Sequence, residues 1–200
     1  MELLVVVAII GILAALAMGG LSNTIRSSKL TNTAQRVADQ INMARQIAAS
    51  RNVPVEVRIY CLPYFGKTTG GAYLYRGIQL YTNTTSPVSR PFLFPERVVA
   101  RQTAMLQNGM TLYPFSGPPW STTDWGDFKR SGYGFQSFLI NPTGICSSGG
   151  SNTVNNYNNW FIIQNWEQDS PCGGSTTTLP QNYAVVRVDP ITAKATILRP

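Results

Sequence analysis

Leu3-Leu4-Val5-Val6-Val7-Ala8-Ile9-Ile10-Gly11-Ile12-Leu13-Ala14-Ala15-Leu16-Ala17-Met18 is a run of sixteen residues, all apolar or glycine. Gly19, Gly20 and Leu21 extend it to nineteen. At about 1.5 Å per residue, a helix of that length nearly matches a hydrocarbon core of about 30 Å. The run reads as a membrane or bundle helix. It is longer than the roughly 7–15 residues of a signal-peptide apolar region, and the helical pattern continues past it.

Beyond the run the apolar residues become periodic. Leu30, Ala34, Val37, Ile41, Ala44 and Ala48 recur at steps of three and four, with Ala38 and Ile47 beside them. That is one face of an amphipathic helix. Arg26, Lys29, Arg36, Asp39, Arg45 and Arg51 fall mostly on the remainder. One helix is therefore expected over 1–51, apolar all round in 1–21 and amphipathic in 22–51. The first part needs lipid or like helices as cover, and the second needs a globular domain.

Three residues in the first part carry a further expectation. Glu2 is the only charge in the first 25 residues. A carboxylate at the edge of an apolar layer is costly unless it meets a cation or the helix N-terminal dipole. Glu2 is the candidate assembly residue. Gly19 and Gly20 stand where the apolar part gives way to the amphipathic one, and each glycine costs a helix interior roughly 1 kcal/mol against alanine. They are candidates for local helix flexibility.

After Arg51 the period drops to two. Val53, Val55, Val57 and Ile59 alternate with Pro54, Glu56, Arg58 and Tyr60, the pattern of a half-buried strand. Further strands are expected over 72–81, 110–113, 135–140, 160–166, 183–188 and 193–198. The last two form a hairpin around Asp189-Pro190-Ile191-Thr192. Loops rather than helices fill the gaps, so the sheet of 52–200 is expected to be antiparallel. The irregular stretches 114–134 and 146–159 are rich in Gly, Pro, Asn and aromatics. They are read as loops for subunit contacts, a sugar-binding surface or satellite packing.

Composition narrows the chemistry. Charged residues make up only 12% of the chain and histidine is absent. Without histidine, Ser-His-Asp and Cys-His catalysis are excluded, and so is the commonest metal ligand. Asp124 with Asp127 and Glu167 with Asp169 are the close acid pairs, and nothing in the sequence brings them together for catalysis. No catalytic residue and no cofactor is expected; Asp124 and Asp127 are calcium candidates, completed by loop carbonyls. Cys146 and Cys172 sit in Gly/Ser-rich surroundings, and their spacing fits no zinc pattern. They are the candidate disulfide in an oxidising compartment, with three free thiols as the alternative. The net charge of +7 and the basic residues Arg187, Lys194 and Arg199 raise a nucleic-acid contact as a rival.

Residues 1–17, from Met1-Glu2-Leu3-Leu4 to Ala15-Leu16-Ala17, resemble the N-terminal segment of type IV pilins and type II secretion pseudopilins. Residues 41–55, with Asn141-Pro142-Thr143-Gly144 after Phe138-Leu139-Ile140, are similar to the GspH or FimT-like minor pseudopilins. Cassette-type pilin-like proteins of Verrucomicrobia are a further resemblance.

The resemblance implies an α+β, pilin-like fold, with a long N-terminal helix packed on an antiparallel sheet. It implies a prepilin processed by a membrane peptidase, held in the bacterial inner membrane with a periplasmic domain. Assembly machinery then builds it, with homologous subunits, into an extracellular or periplasmic filament. The family's acid falls on Glu2 and neutralises a neighbour's amine. The family's leader, cleavage site and Phe-Thr-Leu stretch would precede Met1, so the chain is expected to begin inside the motif. A second departure is Gly19, where many members carry proline. The expected function is a filament subunit, minor or at the tip, with a major subunit or a DNA-uptake pilin as alternatives.

Overall fold

The computed structural model describes residues 2–63, 73–82, 86–101, 104–105, 111–112, 135–148, 159–165 and 182–199. Helix α1 spans Glu2–Arg51. The strands follow as β1 Val55–Pro63, β2 Tyr73–Thr82, β3 Ser86–Pro87, β4 Phe92–Leu93, β5 Val98–Arg101, β6 Ala104–Met105 and β7 Thr111–Leu112, then β8 Phe135–Ile140, β9 Cys146–Ser148, β10 Asn159–Asn165, β11 Tyr183–Val188 and β12 Ala195–Leu198. Asn52 ends the helix in the left-handed region (φ 52°), a conformation asparagine tolerates better than most residues. Pro54 follows and the chain turns into β1.

The main sheet is antiparallel and runs β12-β11-β10-β5-β2-β1-β8-β9, with β3 and β4 on the flank of β2. β6 and β7 pair with each other in a second, two-stranded sheet. Strand twist accumulated over so many strands curls the large sheet into a half-barrel. Its two edges come together at the β11–β12 turn. The Cys146 amide of β9 donates to the Pro190 carbonyl at 2.8 Å. Gly144 sits under the same turn with φ +87°, and a Cβ there would lie 3.4 Å from the Ile191 carbonyl oxygen. Glycine removes both the strain and the crowding at that crossing.

The core lies between α1 and the sheet. Leu30, Ala34, Val37, Ala38, Ile41, Ala44 and Ala48 are all buried on the helix. They meet Val55, Val57, Ile59, Ile78, Leu80, Val98, Phe138, Ile140, Ile163, Ala184, Val186 and Val188 from the strands. Four of the seven helix residues are alanine, which lets the helix sit close to the sheet. The Asn42 side-chain oxygen accepts the backbone N–H of Ala195 at 3.0 Å and so occupies an open donor of the β12 edge.

The α+β, pilin-like expectation is corrected by this arrangement. The described fold is mostly antiparallel sheet, and only residues 24–51 of the helix pack on it. The physical reason is the apolar pattern itself. Periodic side chains end at Leu30, and ahead of it Val5, Val6, Val7, Ile9, Ile10 and Ile12 point all round the axis and stay exposed. Such a segment has no single face to lay on a sheet. Among the described residues, no helix is long and apolar enough to cross a membrane.

A second correction concerns β1. Its alternation suggests one wet face, yet Val55 through Tyr60 are all buried. Glu56 and Arg58, two residues apart and so on the same face, form a 2.7 Å ion pair with side chains 9% and 6% exposed. The Arg58 guanidinium lies 4.1 Å from the Tyr81 ring centroid and 4.5 Å from that of Phe135. The charge is thus neutralised at one end and held between two rings. A chain of hydrogen bonds extends from it: Tyr60 Oη donates to Tyr81 Oη (3.1 Å), Tyr81 Oη to Gln79 Oε1 (3.0 Å), and Gln79 Nε2 to the Ser89 carbonyl (3.1 Å). These contacts fix β1 in register with β2 and β8.

Candidate assembly interface

The most unusual surface of the described chain is the front of α1. Val5, Val6 and Val7 are 58%, 54% and 58% exposed, and Ile9, Ile10 and Ile12 are 52%, 60% and 62% exposed. Successive residues stand about 100° apart around a helix, so Val5, Val6 and Val7 already span about 200°, and with Ile9, Ile10 and Ile12 the apolar surface is a sleeve and not a stripe. Water-exposed apolar area is unfavourable at roughly 25 cal/mol per Å², and a contiguous sleeve of it marks a surface that another apolar body covers. Gly11 has open space around it, with nothing within 4 Å of the position a Cβ would take.

Glu2 is the first residue of α1, at the free end of this sleeve. Gly19 and Gly20 lie inside α1, which runs through them without a break. The structure therefore keeps the candidate assembly acid and the apolar sleeve on one continuous element.

The basic candidates divide. Arg187 on β11 pairs in register with Thr196 on β12. Its neighbours Val186 and Val188 are core residues facing the helix, so Arg187 lies on the opposite face. Arg199 is in register with Ala195 and Ile197 on the helix side, and its Nη2 donates to Thr31 Oγ1. Lys194 is exposed in the β11–β12 turn. Arg187 and Arg199 thus stand on opposite sides of the sheet and do not form the single basic patch that a shared nucleic-acid contact requires.

Cys146 is not in a loop. It is a buried free thiol on edge strand β9. Its Sγ lies 3.7 Å from the Asp189 carbonyl oxygen. Burial, and then the Asp189 charge, push its pKa from 9.0 up to about 12, so the group stays a neutral thiol. Cys172 lies outside the described residues, as do Asp124 and Asp127. Among the described residues, no group of three or more acid or cysteine side chains is placed to hold a metal ion. Asp189 has a local task instead. Its Oδ1 accepts the N–H groups of Ile191 (2.8 Å) and Thr192 (3.1 Å), and these bonds hold its pKa below the usual carboxylate value.

Two features escaped the sequence. The Glu56–Arg58 pair looked like the wet side of a strand, and only the rings of Tyr81 and Phe135 make it a buried one. The docking of Arg199 beside Thr31 joins residues 168 apart and has no local signal. No family model, curated protein or solved structure matches this chain.

Proposed function

We propose that the chain is a structural subunit of a bacterial filament of the type IV pilus or type II secretion pseudopilus kind, at a minor or tip position, held in the inner membrane before assembly. The observation that carries this reading is the exposed sleeve Val5, Val6, Val7, Ile9, Ile10 and Ile12 at the front of a helix whose rear half is fully used by its own fold. Lipid covers such a sleeve before assembly and neighbouring helices cover it afterwards. Glu2, at the head of the sleeve, supplies a charge that needs a partner in any apolar bundle, which sets the register of one subunit against the next. The resemblance of residues 1–17 to pilin N-terminal segments points to the same use.

The test is direct. The chain should be found by mass spectrometry in filaments sheared from the cell surface or built in the periplasm. Glu2→Ala should remove it from them while the sheet domain keeps its thermal transition. Its absence from sheared filaments in the wild type would sink the reading.

A further inference from the structure

We propose that Arg26, Lys29 and Arg199 form a basic collar that binds the phosphates of anionic lipid headgroups where the helix leaves the sheet. The idea rests on the reading of the front of α1 as a segment that needs apolar cover, and it adds a preferred lipid.

The placement is carried by two elements. Arg26 and Lys29 are exposed on α1 just ahead of Leu30, the first buried residue of the packed half. Arg199 comes from the far end of the chain, and its bond to Thr31 brings a third exposed cation to the same level of the helix. None of the three has a carboxylate partner among the described residues. Asp39 is the only acid of residues 24–51, about three to four turns beyond Lys29 and Arg26, and Gln35 Nε2 donates to it at 2.9 Å.

The spacing suits a lipid bilayer. Val5 lies 21 residues before Arg26, about 31 Å along the helix, close to the thickness of a hydrocarbon core. With the sleeve among acyl chains, the collar stands at the depth of the phosphates, where each basic side chain adds affinity for an anionic surface. Nucleic acid offers the same phosphate chemistry but would leave the adjoining sleeve uncovered, so the lipid surface is the better complement.

The experiment is flotation of the purified full chain with vesicles of phosphatidylcholine alone and of phosphatidylcholine mixed with phosphatidylglycerol. The wild type should prefer the mixed vesicles, about fivefold per cation and about a hundredfold for three, with the preference shrinking in high salt. Arg26→Gln/Lys29→Gln, which leaves the Arg199–Thr31 bond intact, should lose most of that preference while still binding through the sleeve. Equal binding of wild type to both vesicles overturns the proposal. So does an unchanged preference in the double variant, or a shift of duplex DNA that depends on the same two residues without any vesicle preference. The filament reading fails separately, by absence of the chain from sheared filaments, whatever the vesicles show.

Discussion

The two halves of α1 both carry Leu, Val, Ile and Ala side chains, and these serve opposite ends. In residues 24–51 the apolar side chains recur every three or four positions, and the chain's own sheet buries every one of Leu30, Ala34, Val37, Ile41, Ala44 and Ala48. In residues 5–12 the apolar side chains are continuous, and Val5, Val6, Val7, Ile9, Ile10 and Ile12 are each more than half exposed. The difference teaches that period, not hydrophobicity, decides whether a helix folds with its own chain. A 3.6-residue rhythm yields one face, which a sheet can cover. Continuous apolarity yields a sleeve, which only a surrounding medium or several partners can cover.

The comparison breaks hardest at Ile41. Its side chain is fully buried between helix and sheet. Ile41→Asp places a carboxylate there with no cation provided, and an unpaired buried charge belongs to the class of substitutions that cost more than about 4 kcal/mol. The expected outcome is loss of the cooperative thermal transition. A variant melting within a few degrees of wild type would mean that the packed half does not hold the fold.

Asn42→Ala probes the same half at smaller scale. The substitution removes the Asn42 Oδ1 acceptor and leaves the Ala195 N–H at the β12 edge without its 3.0 Å hydrogen bond. The expected loss is about 1–2 kcal/mol in denaturant unfolding, with an unchanged slope. Amide exchange at Ala195 should quicken before the rest of β12 does.

How far the sequence carried this picture varies by element. Strands β8 and β11 coincide with the expected 135–140 and 183–188, because their apolar runs are long enough to stand out. Strand β5 was missed: Val98–Arg101 is four residues long and follows a turn that holds Arg97 at φ 67°. Yet it sits between β2 and β10 and links the two halves of the sheet. Strand β9 was read as loop because Cys146–Ser148 has little intrinsic strand character; pairing with Phe138–Ile140 makes it a strand. The width and curl of the sheet were not legible, since they arise from pairings between distant segments. At the candidate site the sleeve was plain from composition alone, whereas the third cation of the collar depends on where β12 docks.

The edge closure next to the packed half carries a pH dependence. The folded pKa of Cys146 is raised to about 12 against 9.0 for the free thiol. Below pH 9 the thiol is neutral in both folded and unfolded chains, and its contribution to stability is fully present. As pH rises from 9 towards 12 the unfolded chain ionises first, so stability falls, by at most about 1.4 kcal/mol per pH unit. Urea midpoints measured across that range should decline. Cys146→Ala should flatten that part of the decline, at the cost of a small cavity near Asp189. A thiol that reacts with an alkylating reagent at pH 8 as fast as free cysteine would contradict the burial.

The smallest expected effect on stability tests the comparison best. Ile10→Asp is the same kind of substitution as Ile41→Asp, on the same helix, in a residue of the same identity. Ile10 is 60% exposed and the described sheet does not touch it. A carboxylate there remains hydrated in the isolated chain, so the thermal transition should move by less than about 0.5 kcal/mol equivalent. Every environment proposed for the sleeve, lipid or neighbouring helices, would instead have to desolvate that charge, at a cost of a few kcal/mol. The variant should therefore fold as wild type, lose flotation with vesicles of either composition, and be missing from sheared filaments. If Ile10→Asp assembles normally, the sleeve is not the interface. If it unfolds the chain, the front of α1 belongs to the fold after all, and the contrast between the two halves disappears.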